Sequence, residues 1–258
     1  MRNIYLVLIF IAVILGGIYF TGEQNIFLGK TVDRGYDGLY VLDIAGDLFV
    51  SGSAKYMGDL SYTREDVVDL EVVDKGYFIL DSTGKVHNFG ESNFYGDANV
   101  RNAVDLEVVD KGYYILDRSG VVLPYGFINK YGDGSKESYV DLEVSNNGYY
   151  LLSERGEIEV FGDAIFYGDL EEGYAADLEL TKEGYVILEE GGKLHFFGDA
   201  GFDILEELGV VDLELLPDAD GYFLLDGQGT LYSYKAAAGY PGPEFKEDMV
   251  YIDLELMF

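Results

Sequence analysis

The chain has 258 residues, a formal net charge of −31 and no cysteine, so disulfide and thiol chemistry are excluded. Its 48% hydrophobic and 15% aromatic content is enough to bury a full core, unlike the weakly hydrophobic, highly charged composition of disordered chains. Only 17 Lys and Arg argue against nucleic acid as a partner, because cationic side chains carry phosphate-backbone affinity. The acidity suits a solvated, monomeric domain, or one that meets cations or basic partners.

Residues 4–20 (IYLVLIFIAVILGGIYF) are uncharged and almost wholly apolar, long enough for a short membrane-spanning helix. Residues 1–21 are predicted to be a membrane anchor or signal segment; cleavage needs small residues after the apolar run, and GIYFTGEQ offers aromatics instead, which favours an uncleaved anchor. Arg2 on the leading side places the rest of a single-pass protein outside the cytoplasm. Residues 22–37 then form a tether that holds a folded domain over 38–258 near the bilayer.

That domain repeats itself. VDLEVVDKGYFILDSTGKVHNFG starts at Val68 and VDLEVVDKGYYILDRSGVVLPYG at Val104; the Asp-Leu-Glu triplet recurs six times at about 36 residues, starting at Asp69, Asp105, Asp141, Asp177, Asp212 and Asp253. In each unit an alternating segment (Val68–Val72), a continuous β-prone run (Tyr77–Leu80) and a third extended segment (Lys85–Phe89) are separated by Gly-ended turns, which reads as strands and hairpins. A fourth short strand is predicted near Asn93–Asp97, echoed by KYGD at Lys130 and FYGD at Phe166, making each repeat a four-stranded blade. Recurrent Gly within every unit argues against helical repeats. The chain starts on the second strand of one blade and stops after the first strand of one, so Val250–Phe258 is expected to close a ring by supplying the inner strand of the blade that begins at Leu39. The fold class predicted is all-β: a six-bladed β-propeller preceded by one transmembrane helix.

The order of an inner strand, a GYYILD-like strand and a V-x-x-F-G strand resembles the short-bladed NHL and YVTN-type propellers. GYYILDRSG and VFGDAIFYGD are closer still to a repeat of the form GYYVLDxxGGVHxFGDA found in bacterial surface and secreted proteins. The resemblance covers about Gly38 to Phe258, and it implies a propeller outside the cell without implying an activity. AGFDILEELG in the fifth blade departs from the pattern where a Y-G-D turn is expected.

His87 and His195 hold the same repeat position in blades three apart, on third strands away from the axis, and are read as structural. The chain has no G-x-S-x-G elbow, Walker loop, H-E-x-x-H or C-x-x-C, and Asp218-Ala-Asp-Gly221 lacks the remaining ligands of a calcium loop, so no catalytic residue is assigned. The outstanding constellation is twelve carboxylates: Asp69, Glu71, Asp105, Glu107, Asp141, Glu143, Asp177, Glu179, Asp212, Glu214, Asp253 and Glu255. Strand alternation puts each Asp and Glu on one face, and so many bare buried acids would exceed a domain's whole stability; each needs a partner or water. The structural expectation is that each Asp accepts a backbone N–H from the adjacent blade. The alternative is an axial Ca2+ serving a lactonase-, esterase- or lyase-like enzyme; otherwise no cofactor or metal is expected.

Symmetry breaks most between Ser233 and Met249, where Tyr240, Pro241, Pro243 and Phe245 are the candidate recognition residues. The expected function is a membrane-tethered, extracytoplasmic, non-catalytic binding or scaffold module for a protein or glycan partner, attached through residues 4–20. An envelope-structural protein is the remaining alternative.

Overall fold

The computed structural model describes residues 37–60, 66–199, 209–217, 220–235, 242–243 and 249–257. The predicted anchor, and the predicted tether except Asp37, lie outside the described residues, as do residues 200–208 of the divergent fifth blade. All described regular structure is β. The chain forms six three-stranded antiparallel sheets. Gly38–Asp43 (β1) and Leu48–Gly52 (β2) open the first; Val67–Val73 (β3), Gly76–Asp81 (β4) and Val86–Gly90 (β5) make the second, and Ala103–Val109 (β6), Gly112–Asp117 (β7) and Val122–Gly126 (β8) the third. Tyr139–Ser145 (β9), Gly148–Ser153 (β10) and Ile158–Gly162 (β11) follow, then Ala175–Thr181 (β12), Gly184–Glu189 (β13) and Leu194–Gly198 (β14). Val210–Leu215 (β15), Gly221–Asp226 (β16) and Leu231–Lys235 (β17) complete the sixth sheet, and Tyr251–Met257 (β18) returns to the first, pairing with β1 in the order β18-β1-β2. The closure expected of the last strand is therefore what the chain does.

Each sheet's middle strand is continuously apolar because neighbouring sheets cover both of its faces: β4 (GYFILD) is buried at all six positions. Each inner strand alternates because one of its faces looks inward to the ring axis. Inner strands touch in sequence, β18 to β3, β6, β9, β12 and β15, and β15 touches β18, so the ring is closed. In the second hairpins, Asp81 accepts N–H bonds from Thr83 (2.9 Å) and Lys85 (3.2 Å), and Gly84 turns the chain at φ +83°. Aromatic rings fill the gaps between sheets; Tyr113 meets Phe78, Tyr95 and Tyr125 at centroid distances of 5.6, 5.6 and 5.7 Å.

The predicted fourth strand is absent: residues 93–97 have no regular structure. The physical reason is where their backbone groups go. Tyr113 of the next sheet accepts the N–H groups of Tyr95 (3.1 Å) and Gly96 (2.9 Å) and donates its hydroxyl to the Gly96 carbonyl (2.5 Å), leaving none of these for a ladder with β5. Asp97 instead accepts the Val86 N–H at 2.9 Å, fixing the segment along the sheet's edge. Tyr149 with Gly132 and Tyr185 with Gly168 repeat this clasp, and Tyr77 makes it with Met57 and Gly58. Each Y-G-D segment thus ties its sheet to the next and blunts an exposed strand edge.

The two faces of the ring differ. One, here the N-terminal face, carries the first hairpin turns (Asp74–Lys75, Asp110–Lys111, Asn146–Asn147) and Asp37, whose N–H donates to the Met257 carbonyl at 2.7 Å. The opposite face carries the second hairpin turns and the starts of the inner strands.

Candidate functional site

The axis is built by the inner strands, and the twelve Asp-Leu-Glu carboxylates line one cavity of about 110 Å³ along it. A β-bulge near the start of every inner strand adds a layer that alternation alone does not give. Val67 pairs with Asp81 and Asp69 with Leu80, so Val68 is the extra residue. Val68, Val104, Val140, Ala176, Val211 and Ile252 therefore join the channel lining beside the Asp residues they precede. The channel reads, from the opposite face inward, as an apolar collar, an Asp ring and a Glu ring.

The Asp ring is a latch between neighbouring blades. Asp253 accepts the Leu70 N–H (2.6 Å), Asp69 that of Leu106 (3.1 Å), Asp105 that of Leu142 (2.9 Å), Asp141 that of Leu178 (2.6 Å) and Asp177 that of Leu213 (3.0 Å). Glu107 and Glu255 reach the N–H groups of Val144 and Val72 in the same sense around the ring. At the sixth position the pattern stops: Asp212 Oδ2 is buried without a hydrogen-bond partner. Carboxyl groups also bond each other across blades, Asp141 with Asp177, Asp69 with Asp253, Glu71 with Glu107 and Glu214 with Glu255. A carboxyl pair can do this only by sharing a proton.

Burial, and then like charge from neighbouring acids, pushes the Asp69, Glu71, Asp212 and Glu214 carboxyls well above the usual carboxylate range. Burial likewise raises Asp105 to about 8, Asp253 to about 7 and Asp177 to about 6, backbone N–H bonds moderating each rise. What accessible area these side chains keep faces the narrow channel cavity. Burial and mutual repulsion thus favour protonated, hydrogen-bonded carboxyls in the ring over twelve full charges. Among the described residues no group of three or more His, Asp or Glu is arranged to hold a metal ion.

On the opposite face the collar opens into a funnel of about 440 Å³, shared by Val68, Val104, Val140, Ala176 and Ile252 with Ile44, Arg118 and Glu190. Ile44, Tyr174 and Val250 stand exposed around that mouth. The histidines lie on outer strands away from the axis: His87 Nε2 is 3.0 Å from Asp81 and His195 Nε2 is 2.8 Å from Glu189, pairs that fasten an outer strand to a middle one. Of the four candidate recognition residues only Pro243 is among those described, and it packs against the Gly229 turn; Tyr240, Pro241 and Phe245 lie outside.

A chain of a Nidogen/Laminin complex superposes with a TM-score of 0.65 at 8% identity, covering 86% of this chain and 98% of that one. The chain is a β-propeller. A computationally designed protein, Ika8, gives a TM-score of 0.51 at 13% identity, covering 82% of this chain and 72% of that one. No family model matches the propeller's sequence. No curated protein matches it either. At these identities the likeness shows fold alone.

Two parts of the propeller were not foreseen from the sequence. The collar escapes because V-V-D-L-E reads as plain alternation, which puts Val68 on the face away from Asp69; only a register slip brings both to the axis. The clasp escapes because its tyrosine and its Gly are 17 residues apart, in different blades.

Proposed function

We propose that this is a membrane-tethered, extracytoplasmic binding module, without catalysis, whose six-bladed ring presents the apolar funnel of its opposite face to a protein partner. The carrying observation is the division of labour along the axis. The acids at the centre are engaged in latching blade to blade, while the collar above them leaves aliphatic side chains lining an open mouth. Aliphatic area left facing water at a concave site is what a partner's apolar side chain covers on docking, and Arg118 and Glu190 at its edge offer one charge of each sign to the groups around that side chain. Exposed Ile44, Tyr174 and Val250 extend the same surface. That a related fold occurs in a Nidogen/Laminin complex is compatible with protein binding. Tethering rests on the apolar run at residues 4–20.

A photo-crosslinking amino acid at position 44 of the full-length protein, in its native membranes, tests this. The reading expects one discrete adduct that disappears when Val104→Asp is added to the collar. No adduct at position 44, or one indifferent to Val104→Asp in protein that still melts cooperatively, contradicts it.

A further inference from the structure

We propose that the rim of the N-terminal face docks on the bilayer surface, seating Tyr56, Phe94, Phe127 and Phe166 at the level of the lipid headgroups. This rests on the tether reading above, and it assigns a second surface, facing away from the funnel.

Tyr56, Phe94 and Phe166 are 54%, 49% and 51% exposed. They hold one position of the repeat, two residues before the clasp glycines Gly58, Gly96 and Gly168, and in the intervening blade that position is Lys130. Equivalent positions around a ring share one height, so these side chains form a level set spread over four blades. The clasps lock that height, because the next residue along is held by the following blade's tyrosine. Phe127 is 89% exposed directly after β8, and its N–H is held by the Lys111 carbonyl (2.9 Å) in a hairpin turn of this same face. Its ring is displayed outward where the blade on either side has Glu91 or Asp163.

Large aromatic rings mixed with Lys at one level suit a membrane–water interface: the Phe rings are apolar enough to enter the headgroup–acyl boundary, while Tyr56 and Lys130 couple an apolar body to a polar or charged tip. Their spacing favours a flat partner: a compact protein ligand engages neighbouring side chains, whereas a plane meets a whole rim. Charge favours a zwitterionic over an anionic surface: the turn tips pair opposite signs, Asp74 with Lys75, Asp110 with Lys111, and Lys182 with Glu183, while Glu91 and Asp163 leave the face net acidic. Chain length agrees as well. Asp37 enters the ring on this face, and the 16 residues between Phe20 and Asp37 span at most about 55 Å when fully extended. That bound limits how far Asp37 can stand from a surface entered by residues 4–20.

The chain has no cysteine, so single labels are clean. Full-length protein in phosphatidylcholine nanodiscs is labelled with a fluorophore at Phe94→Cys, at Phe127→Cys and, on the opposite face, at Arg101→Cys; each variant is checked by its melting curve, and quenching by headgroup-nitroxide lipid is read. The expected result is several-fold stronger quenching at positions 94 and 127 than at 101. Equal, weak quenching at all three in protein that resists a carbonate wash overturns the docking and leaves the tether standing. Protein released by that wash overturns both.

Discussion

Raising the pH from 5 to 8 should destabilise the propeller, the reverse of ordinary acid denaturation. The unfolded chain's Asp carboxyls titrate near the ordinary value of about 3.9, whereas in the folded ring burial holds Asp177 near about 6, Asp253 near about 7 and Asp105 near about 8. Between those limits the native state binds more protons than the unfolded state. The stability these groups contribute is complete below about pH 4 and is lost as pH rises through their folded pKa values. Each excess proton changes stability by about 1.4 kcal/mol per pH unit, so three of them cost about 4 kcal/mol from pH 5 to 6. The smaller remainder brings the upper figure to about 7 kcal/mol by pH 8, against a typical net stability of about 5–15 kcal/mol. At about 2–4 °C per kcal/mol for a domain of this size, the melting temperature should fall by about 10 °C or more. Asp81, Asp133 and Glu159 run the other way: burial raises each, but hydrogen bonds from Thr83, Lys130 and Ser135 outweigh it and leave their pKa values lowered. Their contribution is lost only as pH falls below about 4, which places the stability optimum near pH 4–5. Thermal melts at fixed ionic strength over pH 5–8 are the assay, with Asp105→Asn as comparison. The amide oxygen can still accept the Leu142 N–H but cannot ionise, so the variant should match wild type at pH 5 and melt higher at pH 8. A wild-type melting temperature that is flat or rises from pH 5 to 8 refutes the reasoning.

Tyr113→Phe should cost about 1–3 kcal/mol in denaturant unfolding, because it removes one donor and one shared acceptor and strands the backbone groups of Tyr95 and Gly96; an unchanged midpoint would show that water replaces the clasp. Deleting residues 250–258 removes β18 and the Asp253 latch on Leu70, and should abolish the single cooperative melt by circular dichroism; a retained transition would mean the ring does not need closing. Chelator should leave the melting temperature at pH 7 where it was, since five of the six ring Asp side chains already accept backbone N–H groups; a large drop restored by Ca2+ would put an ion on the axis, because a ligand of the folded state stabilises it by mass action.

The blade count, the permuted closure and the inward pairing of Asp with Glu were legible because each is a periodicity: a 36-residue repeat, a missing first strand and a spacing of two. The Asp-to-backbone latch followed from a physical demand, that buried acids need donors, and five of the six sites meet it. Less legible were features set by contacts between repeats. Asn93–Asp97 has the length of an edge strand, but Tyr113 of the next blade takes its amides. Val68 alternates correctly in sequence, but the bulge turns it to the axis. Asp212 is identical in its triplet to the others and yet keeps an unpartnered oxygen, and nothing in that triplet marks it.

The claim at the centre of this account is that the axial acids form a proton-sharing structural latch. Infrared absorption of the folded protein at pH 7 tests it most directly, because protonated and ionised carboxyls have separate carbonyl stretches. A protonated-carboxyl band is expected at pH 7, weaker in Asp105→Asn than in the wild type. A spectrum at pH 7 showing ionised carboxylates alone would contradict it.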